Sequence, residues 1–241
     1  MHGKMSIAIE SLKKTIKANP NDAIAHHDLG VLYAMQGEMA EAKSELLLAI
    51  KINPSYAKAL YNLGLVYINQ GETELAEDAF KASIKADFNS AEAHNSLGLI
   101  YERQKKTDEA KNEFFQSIKI DPNYAQAHNN LGSIYKNEGK YKLAEKTYID
   151  GIKADPLLVD TYFNLRILYN EQGKTELAET TFKDAIKAAP TLAIILLTQG
   201  CIKPIDLSTI SNSIDDPKDG ELFYTTSQLV NEENPKHHNE I

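Results

Sequence analysis

A single period, 34 residues long, constrains this chain more than any other property of its sequence. The stretch at 122–155, PNYAQAHNNLGSIYKNEGKYKLAEKTYIDGIKAD, recurs with drift at 20–53, 54–87, 88–121 and 156–189, and none of the copies needs a gap. A repeat of that length marks a stacked architecture, because one such unit cannot bury its apolar face alone and needs neighbours.

Inside each copy, small and large residues hold fixed places. The pairs Leu29-Gly30, Leu63-Gly64, Leu97-Gly98 and Leu131-Gly132 are each followed by a tyrosine, at Tyr33, Tyr67, Tyr101 and Tyr135. An alanine comes next (Ala42, Ala76, Ala110, Ala144, Ala178), then a bulky residue four positions on (Leu46, Phe80, Phe114, Tyr148, Phe182), and usually a closing proline. The apolar residues recur at helical spacing, so each copy reads as two amphipathic helices, A and B, joined by a tight turn. In the first copy these are Ala23–Gln36 and Met39–Ile52. Gly37, Gly71, Gly139 and Gly173 fall just past helix A, where a left-handed residue reverses the chain without a Cβ clash. Lys105 stands there in the third copy and is expected to cost a little stability. Gly30, Gly64, Gly98 and Gly132 lie within helix A, where glycine costs roughly 1 kcal/mol against alanine. That cost is expected where a second helix passes closely, opposite the alanine of helix B.

This pattern of an aromatic, Leu-Gly, Tyr, Ala, Phe and Pro over one period resembles the tetratricopeptide repeat (TPR), over about three quarters of the chain. The resemblance implies an all-α, right-handed superhelical solenoid of antiparallel helix pairs. Five repeats (20–53, 54–87, 88–121, 122–155 and 156–189) would be preceded by a half repeat at 5–19 that supplies only a helix B. There Ala8, Leu12 and Pro20 are in register with Ala42, Leu46 and Pro54. That helix is expected to cap the stack; a fragment, or a partner helix over Ile9, Leu12 and Ile16, is the other reading. A capping helix at 190–203 is expected at the far end, since Ala193 and Gly200 match Ala125 and Gly132. The tail at 204–241 follows. From 205 it holds eight acids against Lys218 and Lys236, a net of −6 within a chain total of −8, and its composition reads as disordered. Two departures stand out. Phe88 replaces the junction proline, removing a helix stop and offering a ring for packing. Arg166 replaces the helix-A glycine, so the fifth pair is expected to splay or the guanidinium to run outward.

No constellation for catalysis emerges: there is no phosphate-cradling loop, HExxH or nucleophile elbow. We therefore expect no enzyme, no cofactor and no metal site. His26, His94 and His128 share one position of the repeat, too far apart along a stack to hold one ion, and read as packing residues. The acidic balance argues against nucleic acid as a partner. The lone Cys201 excludes an intramolecular disulfide. No apolar run suits membrane insertion and no signal peptide is legible, so a cytoplasmic location is the default expectation.

What remains is a surface. In the family that the chain resembles, helix A lines a concave groove that binds peptides. The residue before each Leu-Gly would face it, here Asp28, Asn62, Ser96, Asn130 and Asn164. This row is similar to the asparagine ladder in the repeat arm of O-linked N-acetylglucosamine transferases, although Asp28 and Ser96 interrupt it. A carboxamide both donates and accepts, so Asn62, Asn130 and Asn164 would fix the backbone of an extended peptide. Alanine at all three is expected to weaken a partner without lowering the unfolding midpoint. One residue earlier stand His27, Tyr61, Asn95, Asn129 and Phe163; one turn on stand Val31, Leu65, Leu99, Ser133 and Ile167. Tyr61, Phe163, Leu65, Leu99 and Ile167 would supply apolar contacts. Groove charges would be Lys58, Arg103 and Lys136 against Asp28, Glu92, Glu102, Asp160 and Glu171. Val31, Leu65 and Leu99 occupy the places where some relatives carry the asparagines of a carboxylate clamp, which argues against that chemistry. The function expected is a non-catalytic protein-binding scaffold, adaptor or assembly factor. A regulatory arm of a larger glycosyltransferase-like enzyme, and a structural protein that forms homo-oligomers through its terminal helices, stay open as alternatives.

Overall fold

The structure, a computed structural model, describes residues 2–190. The expected capping helix beyond Pro190, Cys201 and the acidic tail lie outside the described residues. Those residues form eleven helices and no strand. Helix α1 is His2–Ala18, followed by α2 Ala23–Gln36, α3 Met39–Ile52, α4 Ala57–Asn69, α5 Thr73–Ala86 and α6 Ala91–Arg103. Then come α7 Thr107–Ile120, α8 Ala125–Asn137, α9 Tyr141–Ala154, α10 Val159–Glu171 and α11 Thr175–Ala188. They pair as A and B helices, α2 with α3 through α10 with α11, and each B helix packs on the next A helix, giving an all-α solenoid.

Each A helix ends the same way. Gly37, Gly71, Gly139 and Gly173 adopt φ of 82°, 77°, 71° and 70°, and Lys105 takes the same left-handed conformation at 61°. The next residue's N–H then returns to the carbonyl of the motif tyrosine, as in Glu38 to Tyr33, Glu72 to Tyr67 and Lys106 to Tyr101, each at 2.9 Å. This is the six-to-one bond of a Schellman cap. At the other end, Asp22 accepts from the N–H groups of Ile24 and Ala25, and Ser90 accepts from that of Ala93. Where the chain carries a capping side chain, it starts the helix with it.

The interior glycines do admit a close neighbour, but it is not the alanine of helix B. A Cβ on Gly64 would stand 2.5 Å from Phe80 Cε1, one on Gly98 2.6 Å from Phe114, and one on Gly132 2.6 Å from Tyr148. At Gly30 the nearest atoms are those of Leu46 and the Ala42 carbonyl. The bulky residue of helix B therefore occupies the notch left by the missing Cβ. Its other side packs on the next A helix: Ala42, Leu46 and Ala49 on Ala59, Leu63 and Val66, and Ala110 and Phe114 on Leu131 and Ile134. One side chain thus joins two repeats, and the core is a seam along the stack.

The departures resolve individually. Helix α1 packs on α2 with Ile9 buried and Leu12 and Ile16 half-buried, while Ile7 remains exposed. Phe88 is 66% exposed, so the ring that replaces proline adds little packing. The fifth pair packs less closely than the other four. Arg166 does not run outward. Its guanidinium carbon stands 4.6 Å from the centre of the Phe182 ring, the ring that glycine would otherwise face, and burial lowers its pKa.

Two stability changes follow. Lys105→Gly relieves a non-glycine residue of the left-handed conformation and should stabilise the chain by roughly 1 kcal/mol. Gly98→Ala gains helix propensity but drives a methyl into Phe114, and overpacking of that kind costs about 1–3 kcal/mol. Urea unfolding of the two variants should move the midpoint in opposite directions; a shift of the same sign in both would contradict the notch.

Candidate functional site

The A helices approach one another along the stack, α2 with α4, α6 with α8 and α8 with α10, whereas the B helices form no interface of comparable size. The inner arc of a curved stack is the shorter one, so the A helices line its concave side. The row 28, 62, 96, 130, 164 lies on this wall. Asp28 is exposed, while Asn62, Ser96, Asn130 and Asn164 are half-buried.

What holds these side chains was not legible beforehand. Asn130 Nδ2 donates to Asn95 Oδ1 at 2.9 Å, Asn164 Nδ2 donates to Asn129 Oδ1 at 2.9 Å, and Asn62 Nδ2 meets His27 Nε2 at 2.9 Å. Each bond crosses from one A helix to the preceding one. His27 is set in turn by Asp28 Oδ1, 2.8 Å from its Nδ1, and by the Tyr56 ring 5.0 Å away. The pattern breaks once. Between α4 and α6 the corresponding residues are Tyr61 and Ser96, which form no such bond, and these two helices approach less closely than the bridged pairs. Asn95 is only 5% exposed and His27 is also buried, so both act as supports for the ladder and not as contact surface. The bridges also correct one expectation. Alanine at the three ladder positions would remove three inter-repeat hydrogen bonds, each worth about 0.5–1.5 kcal/mol, and so would lower stability.

The bridge fixes the direction of each carboxamide. With its N–H committed to the neighbouring helix, each ladder asparagine keeps its carbonyl oxygen and one N–H for another partner. Beside this row, Leu65, Leu99 and Ile167 are 41%, 37% and 44% exposed, a pattern that Leu75, Leu143 and Leu177 repeat on the B helices. Val31 is half-buried, and Ser133 turns back to Asn129 O at 3.0 Å and Tyr148 Oη at 3.1 Å. Tyr61 and Phe163 are half-buried, leaning on Phe80 and Phe182 with ring centres 5.6 and 6.1 Å apart. Among the charges, Lys136 lies 3.6 Å from Glu171, so this pair partly cancels. Lys58 and Arg103 are exposed, and burial raises the Glu102 carboxyl pKa against the opposing pull of Arg103.

The recurring histidines lie off this wall. His26 Nδ1 is 2.6 Å from Glu45 and its Nε2 3.2 Å from the Pro20 carbonyl; His94 meets Glu113 at 2.7 Å, and His128 meets the Pro122 carbonyl at 2.9 Å. They tie helix A to helix B or to the preceding turn. No helix of the described residues is long and apolar enough to cross a membrane.

Comparison with known proteins places this geometry. Profiles described as tetratricopeptide repeat match residues 61–128, residues 11–44 and 113–146, and residues 159–192, and one described as TPR repeat matches 36–71. No curated protein matches. Among solved structures, YrrB, "a TPR protein with an unusual peptide-binding site", has a TM-score of 0.59 at 23% identity, over 79% of this chain and 99% of its own. MamA has 0.59 at 24% identity, over 68% and 96%. The APC/C hetero-tetramer Cut9–Hcn1 has 0.68 at 19% identity, over 82% of this chain and 39% of that one. At such identities the likeness is one of fold.

Burial along the stack has a measurable consequence. It pushes the Tyr124 phenol, in the turn before α8, up to about 12; burial and then the hydrogen bond to Glu145 do the same for Tyr169. A phenol raised above its unfolded value near 10 contributes stability that is full below about pH 10 and lost as pH climbs through the folded value. The urea midpoint should therefore fall between about pH 10 and 12, and Tyr124→Phe should make that fall shallower. An identical pH profile in the variant would contradict the assignment.

Proposed function

Because the chain belongs to the tetratricopeptide repeat family, we propose that it is a non-catalytic binding scaffold that takes an extended protein segment along the wall of its A helices. The observation that carries this reading is the pairing of two rows. Half-buried asparagines with oriented carbonyl oxygens run beside the exposed Leu65, Leu99 and Ile167. An extended peptide presents the matching alternation, with backbone N–H groups at regular intervals and side chains on one face about 7 Å apart. Carboxamides that bond to backbone select for an extended chain and not for its sequence, while the aliphatic row gains from burial. The binding of peptide by YrrB, named in its title, supports the same use of this fold. A cytoplasmic location accords with the reading.

The site residues proposed are Asn62, Asn130 and Asn164 for backbone, and Leu65, Leu99, Ile167, Tyr61 and Phe163 for apolar contact. Asp28, Ser96, Asn129, Lys58, Arg103 and Lys136 are proposed to border the same site, with His27 and Asn95 supporting it.

The test uses side chains that make no inter-helix hydrogen bond and are among the more exposed of the aliphatic residues. A library of random ten-residue peptides displayed on phage is panned against the full chain, and the recovered peptides are titrated by fluorescence polarisation. The triple variant Leu65→Ser, Leu99→Ser, Ile167→Ser should bind them at least tenfold more weakly, about 1.4 kcal/mol, with little change in melting temperature. Peptides that bind the triple variant as well as the wild type would remove the groove from the account, as would a failure to recover any.

A further inference from the structure

The wall is not uniform, and two of its irregularities meet beside α4. Four of the five full repeats carry an aromatic ring at the bulky position of helix B; the first carries Leu46. In the second repeat that ring, Phe80, fills the notch at Gly64 and reaches the Tyr61 ring. In the first repeat Leu46 is shorter, and the residue in the place of Tyr61 is His27, which is engaged with Tyr56 and Asn62. Space is left over. A hollow of about 300 Å³ opens there, walled by Val31 and Met35 of α2, Met39 and Leu46 of α3, and Leu65 and Val66 of α4, with Asn62 and Asn69 at its edge. Its lining is flexible and apolar, the chemistry that accepts one large hydrophobic side chain.

A second hollow, also of about 300 Å³, lies on the other side of Asn62. It falls between the start of α4 and the start of α6, the junction without a carboxamide bridge, and charged and polar residues stand around an otherwise apolar surface. Asp87 and Glu92 face it against Lys58, together with Ser90 and Asn89. Asp87 accepts from the Asn89 N–H at 2.9 Å and Glu92 from Ser90 Oγ at 3.2 Å, so each carboxylate retains an oxygen for another donor. The balance is acidic. A basic side chain complements it and an acidic one does not.

Building on the groove reading above, we propose that these two hollows select the sequence of the bound segment. A large apolar side chain, aromatic or long aliphatic, seats against Met35 and Leu65, over the buried Leu46. A lysine or arginine two residues away reaches Asp87 and Glu92, and the backbone N–H between them is held by the Asn62 carbonyl oxygen. Both hollows share Asn62, and alternate side chains on one face of an extended peptide are about 7 Å apart, which is the spacing proposed for the two side chains. The occupant is thus an extended segment bearing an apolar-x-basic motif.

The same phage library distinguishes this from the broader reading. Panning on the full chain should enrich the motif. Leu46→Phe restores the ring that the other repeats carry, in a notch that already lacks a Cβ at Gly30, so the variant should melt no lower than the wild type. It should bind the recovered peptides at least tenfold more weakly and lose the apolar preference when panned itself. Asp87→Asn with Glu92→Gln keeps the local hydrogen-bond acceptors and should lose the basic preference alone. In wild-type protein, the methyl carbon resonances of Met35 and Met39 should shift on titration with a recovered peptide, a readout that needs no variant to fold. Recovery of peptides that depend on Leu65, Leu99 and Ile167 but are indifferent to Leu46→Phe, and that leave both methionine methyls unmoved, overturns the motif and leaves the groove standing. Indifference to all these changes overturns both.

Discussion

The contact on which this structure depends is the seating of one helix-B side chain in a glycine notch of helix A. Without a Cβ at Gly64, Gly98 or Gly132, the facing ring comes within a distance at which any other residue would collide. That approach sets the separation of the two helices in a pair. Because the same ring packs on the next A helix through Leu97, Leu131 or Leu165, it also sets the separation between pairs. Intrinsic helix propensity is sacrificed at the glycine, and the loss is offset by burial of a whole aromatic side chain shared between repeats. A stack built this way has a geometry that is local and repeatable, so a departure in one copy is felt there and at its neighbour only. Leu46 leaves a hollow in the first pair, whereas Arg166 fills the notch of the fifth with a guanidinium laid on Phe182.

A second, weaker set of bonds acts across the stack on its inner side. Asn62, Asn130 and Asn164 each reach back to the preceding A helix, and the A helices approach where the bridge exists and less so where Ser96 and Tyr61 interrupt it. The same carboxamide therefore serves the curvature of the wall and the chemistry of its surface. This double role makes the ladder a poor place to separate binding from folding by mutation. The aliphatic row, which makes no bond between helices, is the better place.

The period, the helix pairs and the left-handed residue after each A helix were legible from the sequence, even at Lys105, where the residue type argues against that conformation and only the register argues for it. Such features depend on spacing along one chain. What faced the glycine was misassigned by one helical turn, from the alanine to the ring four residues later, because register alone does not say which of two i, i+4 neighbours lies nearest the crossing point. The role of Asn95 and His27 was not legible either. They occupy the same position as the half-buried Asn129 and Tyr61, and only the distance between successive A helices, a property of the stack, decides which side chains reach one another.

A perfectly regular wall would have a consequence for recognition. Identical carboxamides at identical intervals bond to peptide backbone wherever it lies, so a segment could slide by one repeat at no cost in contacts. Register and identity have to come from positions where the repeat breaks its own rule. In this chain two of the breaks stand together. The leucine in place of a ring and the serine in place of an asparagine both fall beside α4, one on each side of Asn62. The remaining bridged asparagines can then add affinity along the groove once the first contacts have set the frame, since a segment pinned at one end meets the later positions at high effective concentration.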